Sequence, residues 1–375
     1  YSLWLIFPLR LLAESFTADL SGGSFLTIPV NHLWHLIFGD KLFFMPVWWA
    51  YSICLGLFFA AMPFSRYMHI LTEVLWILLR NAGLKPSHPR KGVAEAEIYA
   101  CSSCGLCLDA CPMNVQKKNL KYSSVYFIRF LRRHNEKKIN DIADKCLMCD
   151  KCHALCPVGV DAPALRRAQR ATVNNSLVYD YSYLAAQNPV GVIPDDKPEV
   201  MYFAGCMTHL TPRIIKSVEK VFKAASVNYV FADRDGGICC GRPLMLAGKT
   251  SAAQETIAAN KKMILESGCR TLVLSCPICY KIFKEEYGLK DIEVLHYTQY
   301  IKRLVDDGRL KLNAGGESIV YHDPCELGRG CGVYAEPRNV LSQVGMLVKA
   351  GKEGDESVCC GGSLGSLTLD ARDRA

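Results

Sequence analysis

The sequence has 375 residues, 19 of them Cys, with 50% hydrophobic side chains and a formal net charge of +8. A charged fraction of 21% with 10% aromatics excludes a disordered chain, and 28 Gly and 17 Pro scattered without a period exclude collagen-like and low-complexity readings. The length suits two or three domains, and the odd cysteine total argues only mildly against a disulfide scaffold, so spacing has to decide.

The chain opens on Tyr1 with neither an initiator Met nor a signal peptide and reads as a fragment. Up to residue 63 only Arg10, Glu14, Asp19, Asp40 and Lys41 are charged. Tyr1–Leu12 reads as the tail of an earlier membrane span. Leu42–Met62 is 21 uncharged residues rich in Phe and Trp, long enough to cross a bilayer at about 1.5 Å per residue; the alternative is a buried core helix. Trp48 and Trp49 fall inside this run rather than at its ends, and Cys54 within it reads as a small hydrophobe. Phe16–Asp40 reads as a loop without Lys or Arg, whereas Arg66, Arg80, Lys85, Arg90 and Lys91 follow the span. The positive-inside rule therefore places the remainder on the cytoplasmic side of the inner membrane. Apolar helix resumes to Leu79, and Asn81–Arg90, with Gly83, Pro86 and Pro89, reads as a linker.

From Val93 to Asn188 the pattern is helical and holds two cysteine clusters; Pro189–Pro198 reads as a second linker. Strand–helix alternation follows, with strands expected at Glu199–Ala204, Tyr229–Phe231 and Thr271–Leu274 and helices at Arg213–Ala225 and Ser251–Glu266. Ser318–His322 begins a second such unit. The repeat is internal: Cys206 aligns with Cys325 at an offset of 119, and Cys239-Cys240-Gly241 with Cys359-Cys360-Gly361 at 120. The expected architecture is multidomain: α-helical transmembrane segments (1–80), a linker (81–92), a helical two-cluster ferredoxin-like domain (93–188), a linker (189–198), and an α/β Cys-Cys-Gly repeat domain in two units (199–315 and 316–375).

The strongest signal is Cys101-x2-Cys104-x2-Cys107-x3-Cys111-Pro112, repeated as Cys146-x2-Cys149-x2-Cys152-x3-Cys156-Pro157. Three thiolates two residues apart let a tight loop wrap one 4Fe–4S cubane, while the fourth, before Pro, reaches across to the other cluster. This assigns Cys101, Cys104, Cys107 and Cys156 to one cubane and Cys146, Cys149, Cys152 and Cys111 to the second. Zinc also takes four thiolates, but it does not account for the x3 interval and Pro occurring twice. Two clusters make an electron relay, and a reducing compartment follows.

The second signal is Cys206-x32-Cys239-Cys240-Gly241, then 35 residues to Cys276-x2-Cys279. Five Cys in one unit exceed what one cubane needs; zinc plus a spare thiol is the competing reading. Adjacent Cys239 and Cys240 can both reach a bulky group if Gly241 permits a sharp turn, and Gly236 and Gly237 leave room for close backbone approach. The second unit supplies Cys325, Cys359 and Cys360. Its closing Cys-x2-Cys is expected about 36 residues later by analogy with the first unit, beyond Ala375. Cys269 reads as a core or surface thiol, and Cys331 as a thiol near the second site.

At these residues the chain resembles the catalytic D subunit of membrane-bound heterodisulfide reductase and its relatives, including bacterial membrane iron–sulfur proteins that link electron-transferring flavoprotein to menaquinone. The resemblance runs from about Val93 to Ala375. It implies a noncubane 4Fe–4S cluster on Cys206, Cys239, Cys240, Cys276 and Cys279, which are also the candidate catalytic cysteines, and carries over to Cys325, Cys359 and Cys360 as ligands of a possible second noncubane cluster. Phe64-Ser65-Arg66-Tyr67-Met68-His69 resembles the haem b membrane subunit of respiratory nitrate reductase and implies His69 as an axial haem ligand, its partner being an absent helix or His32 or His35; the plain alternative is a histidine at the headgroup interface.

Lys117, Lys118, Lys121, Arg129, Arg132, Arg133, Lys137 and Lys138 read as a solvated helical face, or as a dock for an acidic redox partner or anionic lipid. His322 and His209 lie near the two Cys-Cys-Gly sites and could donate protons or orient loops. No nucleic-acid module and no Gly-x-Gly-x-x-Gly is present. The expectation is a quinone-linked, membrane-bound oxidoreductase of a respiratory chain. Electrons would pass between quinone (menaquinone), haem b, two cubanes and a noncubane cluster to a soluble partner such as electron-transferring flavoprotein. A heterodisulfide reductase-like enzyme handling a disulfide at the noncubane site, and a scaffold or redox sensor without turnover, are the alternatives.

Overall fold

The computed structural model describes residues 2–18, 25–38, 44–65, 67–84, 90–117, 119–173 and 198–362. The chain forms two compact units, Tyr1–Trp76 and Ile77–Ala375.

The first unit is helical: α1 (Ser2–Phe16), α2 (Thr27–Phe38), α3 (Phe44–Ala61), a 3-10 turn at Met62–Phe64, and the start of α4 (Met68–Asn81). The segment expected to be a loop between Phe16 and Asp40 contains α2, whose Thr27-Ile-Pro-Val-Asn-His-Leu-Trp-His-Leu-Ile-Phe sequence lacks charge and is apolar enough to fold against a neighbour. Asn31 donates to the Ser15 carbonyl (2.6 Å), Trp34 donates to Ser15 Oγ (3.0 Å), and Trp34 stacks on Phe16, which joins α1 to α2. One helical stretch among the described residues, Met45–Phe64, is long and apolar enough to cross a membrane. Its Trp48, Trp49, Ile53, Leu57 and Phe59 are exposed, as are Ile70, Leu71, Val74, Leu75 and Leu78 of α4.

The second unit begins with short helices: α5 (Val93–Ala100), α6 (Leu106–Ala110), α7 (Pro112–Lys117), α8 (Ser124–Arg132), α9 (Glu136–Ala143), α10 (Lys151–Ala154) and α11 (Ala162–Thr172). Side-chain caps start two of them. Asn135 accepts from Lys138 N before α9 and Asp161 from Ala164 N before α11, each supplying an acceptor for an otherwise unpaired amide. Phe127, Ile128 and Leu131 of α8, Ile139 and Ile142 of α9 and Leu165 of α11 meet in one core. Arg166 is buried within it, stacked on Phe127 and donating to the carbonyls of Ile142 and Tyr122, so its charge is matched by peptide dipoles. The linker expected at 189–198 lies, except for residue 198, outside the described residues.

The α/β part follows the expected alternation: β1 (Val200–Phe203), α12 (Cys206–His209), α13 (Pro212–Ala224), β2 (Tyr229–Phe231), α14 (Arg242–Leu246), α15 (Thr250–Glu266), β3 (Thr271–Leu274), α16 (Pro277–Glu285), β4 (Glu293–His296) and α17 (Tyr297–Asp306). β4 is not legible as a strand in the sequence: four residues flanked by charge give no period to read. The sheet is parallel in the order β2-β1-β3-β4, with Val200 opposite both Tyr229 and Thr271, and Thr271 opposite Glu293. Alternate residues of each strand face opposite sides. Met201, Phe203, Leu272 and Leu274 pack with Met263, Ile264 and Phe283 of α15 and α16; Val200, Tyr202 and Val273 pack with Phe222 of α13 and Leu304 of α17. Both faces are covered, which is why these strands are apolar runs rather than alternating ones. A smaller parallel pair, β5 (Ser318–Val320) with β6 (Met346–Val348), is joined through α18 (Gly328–Cys331) and α19 (Ala335–Val344).

The helical and α/β parts of this unit meet at Arg170 and Gly248. Arg170 donates to Leu246 O (2.8 Å) as well as to Ala143 O and Cys146 O, and Gly248, at φ +83°, lies so close that a Cβ there would sit 2.5 Å from the Arg170 carbonyl carbon.

Candidate metal centres

The two ferredoxin-type loops share one backbone shape. Ser103 and Gly105 flank Cys104 with φ of 62° and 91°, and Met148 and Asp150 flank Cys149 with φ of 53° and 57°. Left-handed residues on both sides of the middle Cys turn the backbone back on itself and direct successive amides inward, the concave form that suits a sulfur-rich anion. Ser, Met and Asp held in this region are uncommon, and the same strain at the same two places marks a functional constraint.

Each loop closes on a cavity. One is lined by Cys101, Cys104, Cys107 and Cys156, with Cys152 also on its wall. The other is lined by Cys111, Cys146, Cys149 and Cys152. The structure thus gathers each of the two sets of four thiols around its own space, and Cys152 touches both. Among the described residues no three His, Cys, Asp or Glu side chains converge on a single-ion position. Burial pushes the thiols of Cys107 and Cys111 up to about 11, and that of Cys101 upward.

Arg132, expected on a solvated basic face, instead turns inward and donates to the carbonyls of Ile98, Tyr99 and Cys101. Lys121, Arg129, Arg133, Lys137 and Lys138 are exposed as expected, while the side chains of Lys117 and Lys118 lie outside the described residues. Glu97, fully buried one turn before Cys101, accepts from the Asp161 amide (2.5 Å), and burial lifts its pKa to about 8. The folded chain therefore holds this proton to about pH 8, whereas the unfolded chain releases it near the ordinary carboxyl value of 4.5. The stabilisation it gives is complete below that lower value and is lost as pH rises toward the upper one. Glu97→Gln is expected to flatten the fall in melting temperature between about pH 5 and pH 8, as thermal unfolding across that range would show.

The Cys-Cys-Gly site stands at the carboxyl ends of the parallel strands. Cys206 follows β1 and Cys276 follows β3, the two strands between which chain order reverses, where α/β sheets open a crevice. Cys239 and Cys240 come from the loop after β2, and Cys279 from the first turn of α16. The Cys239 thiol is set against Cys206, and that of Cys279 against Cys240 and Cys276; this pairing lowers the Cys206 and Cys276 thiols and raises those of Cys239 and Cys279. All five sequence-predicted cysteines are thus brought together. Four are buried, Cys239 at 0% and Cys279 at 2% exposure, and Cys206 is partly open.

Glycine makes the room. A Cβ on Gly205 (φ +80°) would sit 2.8 Å from Cys279 Sγ, and one on Gly237 would sit 2.6 Å from Cys206 Cα. Sequence reasoning misses the residues that hold this loop. Asp233, 2% exposed, accepts from the amides of Ala204 and Gly205 (both 2.8 Å) and Ile238 (3.4 Å), tying the Cys206 turn to the loop bearing Cys239. Its carboxylate also lies 3.3 Å from His209 Nε2 and raises that imidazole's pKa by hydrogen bonding. Asn260 donates to Cys239 O and to Tyr287 Oη, and Tyr287 donates to Cys240 O. An Asp in a Gly-rich turn after a strand is the available signal for the first; helix and loop polar residues far apart in sequence give none for the others.

In the second unit of the repeat Cys325 and Cys359 approach to 4.0 Å, the pair that corresponds to Cys206 and Cys239, and Gly361 repeats the left-handed φ of Gly241 (71° and 82°). Cys360 is exposed. Cys359 also neighbours Cys149, whose thiol is held down to about 7, so this part abuts the loop of the second ferredoxin-type site. Arg329 fastens that contact, donating to Cys149 O, Asp355 O and Ser357 O. His322 is exposed, Cys269 is a core thiol, and Cys331 is partly buried, with burial pushing its pKa up to about 12. All 19 cysteines are free thiols in the structure.

The cysteine-rich domain family (CCG) matches residues 200–284 and 319–369, and the 4Fe-4S dicluster domain family matches residues 97–160. The chain is 23% identical to the EtfAB:quinone oxidoreductase of Syntrophomonas wolfei, over 92% of this chain and 60% of that protein. It is 23% identical to the B subunit of the fumarate reductase (CoM/CoB) of Methanothermobacter marburgensis, over 76% and 63%. With the D subunit of the dihydromethanophenazine:CoB–CoM heterodisulfide reductase of Methanosarcina barkeri the identity is 22%, over 71% and 78%. The chain spans about 60% of the length of the first two of these relatives. No solved structure matches it. The chain thus carries a 4Fe-4S dicluster domain and a CCG cysteine-rich domain, and is homologous to iron–sulfur proteins like the D subunit of heterodisulfide reductase.

Proposed function

We propose that this chain is the iron–sulfur part of a membrane-bound, quinone-linked oxidoreductase, exchanging electrons with a soluble flavoprotein through two 4Fe–4S cubanes and a noncubane cluster on Cys206, Cys239, Cys240, Cys276 and Cys279. The observation that carries this reading is the continuity of the cysteine sites: Cys152 borders both ferredoxin-type cavities, and Lys281 of α16, two residues after Cys279, bonds Asp150 beside Cys149 at 2.6 Å. Clusters held there supply one-electron carriers. The protein's own part is to position thiols, direct loop amides inward and exclude water. Burial of four of the five Cys-Cys-Gly thiols supports electron exchange over bond chemistry with a substrate, which would need sulfur within its reach.

The exposed apolar surface of α3 and α4, with Arg80, Arg90 and Lys91 after it, supports a membrane anchor with the cluster-bearing part on the cytoplasmic side. His69, near the start of α4, is the candidate haem b ligand in this reading, and His32 and His35 of α2 are candidate partners. The name of the Syntrophomonas relative, which joins EtfAB to quinone, supports the choice of partners. The test uses the full chain in proteoliposomes containing menaquinone, with reduced electron-transferring flavoprotein as donor. The expected result is bleaching of cluster absorbance followed by quinol formation. Clusters that stay oxidised with the flavoprotein but are reoxidised by a thiol-disulfide substrate once reduced chemically would overturn it.

A further inference from the structure

Between the second ferredoxin-type loop and both Cys-Cys-Gly units lies a buried string of charges that the relay itself does not require. Lys281 Nζ is 2.6 Å from Asp150 Oδ2 and 3.6 Å from Glu326 Oε2; Arg242 Nη2 is 2.9 Å from Glu326 Oε2, and its Nη1 is 3.3 Å from Glu285. The side chains of Arg242, Glu326 and Lys281 are 2%, 3% and 9% exposed. Four of the five members stand beside a different expected ligand. Asp150 follows Cys149, Glu326 follows Cys325, Lys281 lies two residues after Cys279, and Arg242 two residues after Cys240.

Buried ion pairs are weak sources of stability, because desolvation offsets most of their attraction. What they do well is fix charge at a place where the effective dielectric is low, and net charge near a cluster is one of the factors that set its potential. The backbone has made way for this one ammonium. A Cβ on Gly330, in α18 after Cys325, would lie 2.7 Å from Lys281 Cδ and 3.1 Å from its Nζ. The Lys281 side chain therefore runs from α16 of the first Cys-Cys-Gly unit, over Gly330 of the second, to Asp150 of the ferredoxin-type loop.

We infer that Lys281 is a positioning residue whose fixed charge, held against Asp150 and Glu326, raises the potentials of the second cubane and the Cys-Cys-Gly cluster. The inference rests on the cluster reading above. Removing the positive charge makes electron uptake harder at both neighbours; removing the negative charge of Asp150 makes it easier at the second cubane. The first cubane, on the far side of Cys152, is the internal reference.

The experiment is a redox titration followed by electron paramagnetic resonance on the anaerobically prepared full chain. Lys281→Met is expected to move the second cubane and the Cys-Cys-Gly cluster to lower potential, Asp150→Asn to move the second cubane to higher potential, and Lys281→Arg to keep both near the native values. Gly330→Ala, which alters no charge but displaces the lysine stem, is expected to shift in the direction of Lys281→Met and decides the matter if that variant fails to fold. Loosened packing would not reverse sign with the sign of the charge removed. Same-direction shifts in the Met and Asn variants, no shift in either, or an equal shift of the first cubane would overturn the inference. A native chain without iron would overturn the cluster reading instead.

Discussion

Replacing Cys279 by Ser is expected to remove one four-iron cluster while both cubanes remain. Cys279 is the thiol set against two others, Cys240 and Cys276, and it emerges from the first turn of α16. A hydroxyl of nearly the same size keeps the packing of Ile282 and Phe283 beneath it, so the parallel sheet survives; what is lost is a ligand able to become a soft thiolate at neutral pH. The comparison variant is Cys269→Ser. Cys269 is equally buried, in the apolar core, with only a weak 4.0 Å contact to the Ser267 carbonyl, and its replacement should leave iron content unchanged. Iron and sulfide analysis of the two variants separates a ligand from a core thiol. Loss of iron in Cys269→Ser with retention in Cys279→Ser would reverse the assignment.

The second large effect is expected at Asp233. Its carboxylate accepts from the amides of Ala204 and Gly205, both 2.8 Å away, and it also faces Ile238 N and His209. Asp233→Ala leaves buried donors without this partner. Hydrogen bonds to a charged acceptor contribute about 1.5–3 kcal/mol each, so losing two of them should cost on the order of 3–6 kcal/mol. For a domain of this size that lowers the melting temperature by roughly 10 °C. Because those amides flank the turn that presents Cys206, the Cys-Cys-Gly cluster should be lost before the sheet unfolds, whereas Asp233→Asn, which keeps one acceptor oxygen, should be intermediate. Thermal unfolding monitored both by cluster absorbance and by far-ultraviolet circular dichroism would show the two transitions separated in Asp233→Ala and merged in the native chain.

What is legible in the sequence is what local pattern encodes. Cys-x2-Cys-x2-Cys-x3-Cys-Pro occurring twice is short-range, and its two loops do gather the expected sets of thiols around two cavities. Apolar runs such as Val200–Phe203 and Thr271–Leu274 fall within a residue or two of strands, because a doubly covered parallel sheet leaves them no reason to alternate. The repeat offset of 119–120 residues is readable too, and the Cys206–Cys239 contact recurs as Cys325–Cys359. The rest depends on distant partners. Arg132 resembles one more charge on a basic face, yet it turns inward because the carbonyls of Ile98 and Cys101 wait across a core that only tertiary packing creates. The partnership of Lys281 with Asp150 spans 131 residues, and nothing near either residue announces the other. Glu293–His296 escapes notice because a four-residue strand gives too few positions to count, and Thr27–Phe38 because an absence of Lys and Arg, which suits a loop outside the membrane, equally suits an apolar helix.

The most direct test is the cluster content of the anaerobically purified full chain: iron and acid-labile sulfide per protein, with electron paramagnetic resonance during stepwise reduction. The expected result is three four-iron clusters that accept electrons one at a time, two with cubane signals lost separately in Cys104→Ser and Cys146→Ser, and a third lost in Cys279→Ser alone. Zinc in place of iron, or a third site that carries no redox-active signal in the presence of both intact cubanes, would contradict the proposed relay.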